Sequence, residues 1–528
     1  MSAQIRDILF YGAIFALIFN NIPTAIQMNF IGGVVGSKLA FYPVILGFIY
    51  TAYCQYKYGN VFVKLPVIKK YILVYSIVAL FSLTLGLYNY PYFELIINGP
   101  INQIEKLPKV LAWFSEYGID LNFEITISFW MVVRVIKTLA LEIFYTFIFS
   151  YMIYCWYKDD WYDAIKILGK ASLCSLAVIV IYCIVEVSYL VGNETAKSIL
   201  ENITPYLHTV KDNGTWWPPL LWKNQLRSIF AEPSYFGIYS AFCLPFLWLG
   251  IIKNKLNNKD AYVYIILTIS MTFLLILTKA RTGFMLHVGE LLIFSFLLIY
   301  TRNTALWKKS IVVFLCSMIA FVGGNLFISK CMITKKAIHT PLKTSISNYI
   351  DSNATSLINP DKRSNRARYS VMEADVNVGL EHPLFGIGSG LRAAYVIDAF
   401  SERALNDSEV KYWIRNSKRL GILKSGIPKL GEYTSRFCET GMLGLLVFLF
   451  PAFYLAKCML YKLKNIEKDV QVYYVLFLTS FAGILASGIG DTINITYCYW
   501  VLLGLGYAMC FGKQDKNESK KEIVSEKI

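Results

Sequence analysis

Runs of about 16 to 30 largely apolar residues recur along most of this chain, the scale on which a helix crosses roughly 30 Å of hydrocarbon. They fall near Ile8–Ala25, Ala40–Gln55, Tyr71–Tyr88, Ile127–Trp156, Ala171–Gly192, Phe230–Ile252, Ala261–Leu277, Thr282–Tyr300, Ser310–Ser329, Gly441–Tyr461, Gln471–Gly490 and Thr496–Phe511. Over 528 residues, 56% hydrophobic and only 16% charged side chains are too apolar for an aqueous fold of this size. The sequence therefore predicts an all-α polytopic membrane protein of about twelve transmembrane helices. The first run has no small-residue cleavage site and leads straight into the next, so it is expected to stay in place as a helix.

Lys and Arg are retained in short cytoplasmic loops, which sets orientation. One set of alternate connections carries Lys57, Lys64, Lys69 and Lys70, then Lys253, Lys255 and Lys259, then Lys457, Lys462, Lys464 and Lys468; the opposite set is much poorer in cations. Both termini are thus expected in the cytoplasm. The chain divides into helices with short loops over 1–329, a large and partly helical outer (periplasmic) loop over 330–440, three more helices over 441–511, and a polar tail over 512–528 expected to be disordered.

A net charge of +16 is partly this topological signal, and no nucleic-acid partner is implied. The outer loop holds more Lys and Arg than Asp and Glu although long translocated loops escape the short-loop rule, so its charge points to an anionic ligand at the membrane surface. Within it, Tyr369, Met372, Val376 and Leu380 are spaced as the apolar side of a helix over Arg366–Gly379, and Lys411–Arg419 reads as a second, basic helix. Cys331 and Cys438 bracket the loop, and a disulfide between them is open. The remaining cysteines have no metal-ligand spacing, and no metal site or cofactor is expected.

Two sites stand where helices meet the outer surface. In Arg227-Ser-Ile-Phe-Ala-Glu-Pro-Ser-Tyr-Phe-Gly237, Pro233 suits a first helical turn and leaves Glu232 at its mouth, either as a dipole-favoured carboxylate or as a functional group. In Thr278-Lys-Ala-Arg-Thr-Gly283, Lys279 and Arg281 crowd a connection of a few residues against the bilayer. Snorkelling accounts for one such cation; two on the side that short loops leave poor in charge favour function. Charges also lie inside predicted spans: Arg134, Lys137, Glu142, Glu186 and Glu290, which either pair with one another or extend an anion site. Asp491, in a short outer connection, is a helix cap or a cavity residue. No P-loop, Asp-x-Asp or His-Glu-x-x-His motif occurs.

Phe230-Ala-Glu-Pro-Ser with Gly237, then Thr278-Lys-Ala-Arg-Thr-Gly283, resembles the paired Phe-x-Glu-Pro-Ser and Ser-Arg-Thr-Gly elements of the O-antigen polymerase and ligase superfamily (Wzy-type membrane glycosyltransferases). Arg368 with Glu381-His-Pro-Leu-Phe-Gly-Ile-Gly388 is similar to that family's loop helix and His-Pro-Leu-x-Gly-x-Gly turn, and Arg368 and Gly379 match an Arg-x10-Gly pattern. Glu439-Thr-Gly-Met-Leu-Gly444 resembles the start of the family's following span. The resemblance covers Arg227 to Leu445.

It implies a GT-C-like bundle in the bacterial inner membrane that moves a glycan from undecaprenyl diphosphate to a sugar hydroxyl of another lipid-linked unit, with a chain-length regulator as a further partner. Arginines would hold the leaving diphosphate: Arg281 and Arg368, with Arg227, Lys279 and Arg436 behind them. Glu232, then Glu439, would serve as the base unless they pair structurally with nearby arginines, and His382 is a base or a turn residue. The family's ligases carry a His shortly before the Glu-x-Gly element, whereas Leu430-Gly-Glu-Tyr-Thr-Ser-Arg436 has none. Polymerisation is therefore expected ahead of ligation to lipid A core, with a lipid-linked oligosaccharide flippase as the rival of another class.

Overall fold

The computed structural model describes residues 2–28, 33–59, 61–104, 107–209, 219–255, 258–332, 342–355 and 363–512. All regular elements among them are helical. In chain order the helices needed below are α1 (Ala3–Ala16), α2 (Phe41–Tyr58), α3 (Pro66–Tyr88), α4 (Phe123–Tyr145), α5 (Trp161–Leu190), α6 (Pro233–Lys253), α7 (Lys259–Leu277) and α8 (Arg281–Thr301). They continue with α9 (Thr304–Lys330), α10 (Arg363–Glu381), α11 (Arg392–Asp398), α12 (Ser408–Leu420), α13 (Glu432–Asn465), α14 (Lys468–Ser487) and α15 (Cys498–Phe511).

Eight of these are long and apolar enough to cross a membrane: α3, α5, α6, α7, α8, α9, α13 and α14. The protein is an all-α, multi-pass membrane protein. The four other expected spans coincide with less regular helices. α4 runs on through a π-helical turn over Thr146–Tyr151 into Met152–Tyr157, α15 is shorter, and α2 ends in polar residues. The first span was expected to reach Ala25, but α1 stops at Ala16; Asn20, Asn21 and Pro23 follow, and proline cannot continue a helix.

α6 lies at the centre, buried along most of its length, and α14 is nearly as enclosed. α6 packs on α7, α8 and α14. Pro233 opens α6 at a position where its missing N–H costs nothing, and Asn122 caps α4 by accepting from the amides of Glu124 and Ile125.

At one end of the bundle, residues 363–440 fold into a cap with a core of its own, built on Ala367, Val371, Ala374 and Val378 with Val396, Val410 and Trp413. This stripe differs from the expected one: Leu380 is 64% exposed, and α10 turns its small residues inward because it packs closely along the start of α13. There a Cβ on Gly379 would strike the ring of Phe437. Arg392 and Asp375 tie the cap together as a buried ion pair at 2.5 Å. α13 begins ahead of the expected Gly441 and kinks there, where the backbone turns left-handed at φ 65°. Cys331 is exposed and Cys438 buried, and both are free thiols, so the disulfide left open by the sequence is not formed. The expected disordered tail falls on 513–528, outside the described residues.

Candidate functional site

The two short motifs meet because their glycines meet. A Cβ on Gly237 would lie 2.5 Å from the Cα of Gly283, so α6 and α8 cross backbone against backbone just below Glu232 and Arg281. No larger side chain permits that approach. Glu232 is the residue preceding α6, with extended backbone and its carboxylate taking a hydrogen bond from Ser234 Oγ at 3.1 Å. Arg281 is the first residue of α8. A helix N-terminus disfavours a cation, so Arg281 does not serve the stability of its own helix and instead adds to an anion-attracting end.

α10 then closes over this crossing. Asn365 accepts a hydrogen bond from Arg281 Nη1, and one turn further on Arg368 donates to the carbonyl of Gly490 and lies 3.7 Å from Asp491 Oδ2. The two guanidinium groups are close enough to repel one another. Asp491 sits in the connection between α14 and α15, and its carbonyl accepts from the Glu432 amide at 3.2 Å. Burial pushes the Asp491 carboxyl up to about 7; Arg368 pulls it down and Glu232 pushes it further up. Arg281, Arg368, Glu232 and Asp491 thus form one cluster, and the Arg368 side chain, 31% exposed, opens it to solvent.

Lys279 belongs to the same edge. It occupies the turn between α7 and α8 in left-handed backbone, φ 50°, fixed by Thr278 Oγ1 accepting from the Ala280 amide at 3.0 Å. That conformation is costly for a residue with a side chain. Burial lowers its ammonium below the ordinary lysine range.

The other expected residues lie elsewhere. Arg227 is 1% exposed and gives its guanidinium to the carbonyls of Pro219 and Leu220 at 2.9 and 2.8 Å, while its amide and that of Ser228 bond the Glu186 carboxylate. It clamps the 219–229 segment onto α5. Arg436 is buried between Glu432 at 2.6 Å and Glu142 at 2.8 Å, with Tyr75 accepting from it and the Phe448 ring 3.7 Å away. Glu439 is held by Lys429 at 2.6 Å and by the Gly390 amide at 3.2 Å. It lies near the far end of α10, whose Arg368 and Gly379 are eleven positions apart, about 16 Å. His382 is exposed at that same end, 6.1 Å from the Tyr395 ring.

Among the described residues none of the intramembrane charges expected to pair with one another does so: Glu142 takes Arg436, and Glu186 takes the amides of Arg227 and Ser228. Arg134 instead reaches the Leu423 carbonyl at 2.5 Å, and neither carboxylate oxygen of buried Glu290 meets a hydrogen-bond donor among the described residues. Among those residues no group of three or more His, Cys, Asp or Glu side chains is gathered to hold a metal ion.

The fold and the cluster define a class, a multi-pass helical membrane protein with paired guanidinium and carboxylate groups at the capped end of its bundle. The family model described as O-antigen ligase matches residues 266–415, which carry Arg281, Asn365, Arg368 and His382 and stop short of Glu432, Glu439 and Asp491. Over that stretch the chain is similar to the O-antigen ligase family, in line with the resemblance carried by its motifs. No curated protein matches the chain.

Proposed function

We propose that the protein polymerises undecaprenyl-diphosphate-linked oligosaccharide units into a surface polysaccharide at the outer face of the bacterial inner membrane, with its capped end outward and both termini in the cytoplasm. The observation that carries this is the convergence of Arg281 and Arg368, from helices far apart in sequence, beside Glu232 and Asp491. In the reaction a sugar hydroxyl of the acceptor attacks the anomeric carbon of the donor glycan. The new carbon–oxygen bond forms as the bond to the diphosphate breaks, and the diphosphate leaves with the bonding electrons. Arg281 and Arg368 take up that charge in a partly desolvated site, where fixed donors stabilise it most. The hydroxyl proton passes to the Glu232/Asp491 pair; a carboxyl near neutrality is well matched to that task. Lys279 adds positive charge and has no carboxylate of its own among the described residues.

A second reading, ligation of the finished glycan to lipid A core or another acceptor, is favoured by the description of the matching family. Absence of a histidine from Leu430–Arg436 ranks it behind polymerisation. The test is a gel of surface glycans from a deletion strain complemented with wild type or with Arg281→Gln. Loss of the ladder with one unit retained on the core is expected. Loss of all core-linked units indicates the ligase, and lipid-linked units trapped on the cytoplasmic leaflet indicate a flippase.

A further inference from the structure

The cap touches the bundle a second time, away from the Arg281 cluster. Its glycine-rich turn descends between α3 and α4. Ser82 Oγ donates to the carbonyls of Phe385 and of Glu439, the latter at 2.8 Å, a Cβ on Gly388 would lie 3.1 Å from the Leu83 Cα, and one on Gly390 would lie 3.2 Å from Val135 Cγ2. About twenty residues cross the hydrocarbon layer. Counted from Tyr157, where the helix begun by α4 ends, twenty residues reach Lys137; counted from Pro66, the start of α3, they reach Gly86. Both counts put the turn at the level of the lipid headgroups.

Three cations gather at this level. Arg134 and Lys137 flank Val135 and are exposed on α4. Lys429, its side chain 46% exposed, is bound to Glu439, which also holds the Gly390 amide. Lys137 has no carboxylate partner among the described residues, and Ile136 beside it is 50% exposed. On α3, Leu73 and Ile77 are 59% and 58% exposed toward the hydrocarbon. Three exposed or half-exposed cations, with one carboxylate among them in Glu439, at the head of an open apolar face fit a phosphate above and a hydrocarbon tail below.

We propose that this face binds a second polyprenyl diphosphate, its headgroup on Arg134, Lys137 and Lys429 and its tail along α3 and α4. Resting on the function proposed above, this lipid is that of the acceptor. The two diphosphates are then held apart by about the length of α10, some 16 Å or more, and the acceptor's oligosaccharide bridges the gap to the donor's anomeric carbon.

The full-length protein in phosphatidylcholine nanodiscs, loaded with undecaprenyl diphosphate, has its bound lipids counted by native mass spectrometry. Wild type is expected to hold two. Arg134→Gln/Lys137→Gln loses one, and Arg281→Gln/Arg368→Gln loses the other. Lys137→Met, an exposed change that leaves folding intact, weakens the first by about tenfold, the loss of one charge-assisted contact. Retention of both lipids by Arg134→Gln/Lys137→Gln overturns the inference, as does equal occupancy of that site by phosphatidylglycerol. If only the Arg134/Lys137-dependent lipid is found, the function proposed above fails and this site stands.

Discussion

Asp491 Oδ2 lies 3.7 Å from the Arg368 guanidinium, and the same carboxyl feels Glu232. Each of the three comes from a different part of the chain. Their meeting joins the leaving-group end of the proposed reaction to its proton-accepting end.

The Asp491 carboxyl is raised to about 7 from an ordinary 3.8, chiefly by burial. The folded protein therefore holds a proton between pH 4 and 7 that the unfolded chain has lost, so this group's contribution to stability falls as pH rises through that window. Activity needs the ionised form and moves the opposite way, rising with pH toward a plateau above 7. Asp491→Asn should remove this acid limb from the pH profile of polymerisation in membranes while raising thermal stability at pH 8. An unchanged limb removes Asp491 from the proton-accepting pair.

Arg281→Gln and Arg368→Gln should each lower turnover by about 10²- to 10³-fold, the usual cost of one preorganised charge donor, with melting temperature little changed. Lysine at either position should rescue poorly, because an ammonium cannot grip two phosphate oxygens in a plane.

The apolar runs made most of the bundle legible, because a span needs only length and apolarity. Four arginines were candidates for one site, Arg281 and Arg368 ahead of Arg227 and Arg436, and the fold separates the two pairs. Arg281 and Arg368 converge, whereas Arg227 and Arg436 are consumed by Pro219 and Leu220 and by Glu142 and Glu432. Those partners are set by which helices lie side by side, information that local spacing does not carry. Asp491 was visible only as an acid in a short connection; its role depends on α10 folding back over the bundle. Gly237 and Gly283 were legible as motif letters, and their physical reason is the helix crossing they share.

Removing Arg436 should act through stability. Arg436→Met leaves Glu142 and Glu432 buried without their cation, an arrangement that costs about 3–5 kcal/mol. The expected outcome is poor expression and a lowered melting temperature, with the residual folded fraction still binding undecaprenyl diphosphate at the Arg281 site. A normal melting temperature with lost binding would return Arg436 to the phosphate site.

The helix crossing offers an ordered test. A methyl on Gly237 meets the Gly283 backbone at 2.5 Å, whereas one on Gly283 meets the mobile end of Leu275 at 2.8 Å and the Gly237 Cα at 3.1 Å. Backbone cannot step aside as a leucine tip can, so Gly237→Ala should destabilise more than Gly283→Ala, by about 1–3 kcal/mol against less than that. Because the crossing sets where α6 presents Glu232 and α8 presents Arg281, Gly237→Ala should also cut turnover in the fraction that folds. Melting temperature and turnover per folded molecule measured side by side separate the two effects: equal stability of the variants would mean that α6 and α8 do not meet at these glycines, and full turnover in Gly237→Ala would mean that the placing of Glu232 against Arg281 is not what the reaction needs.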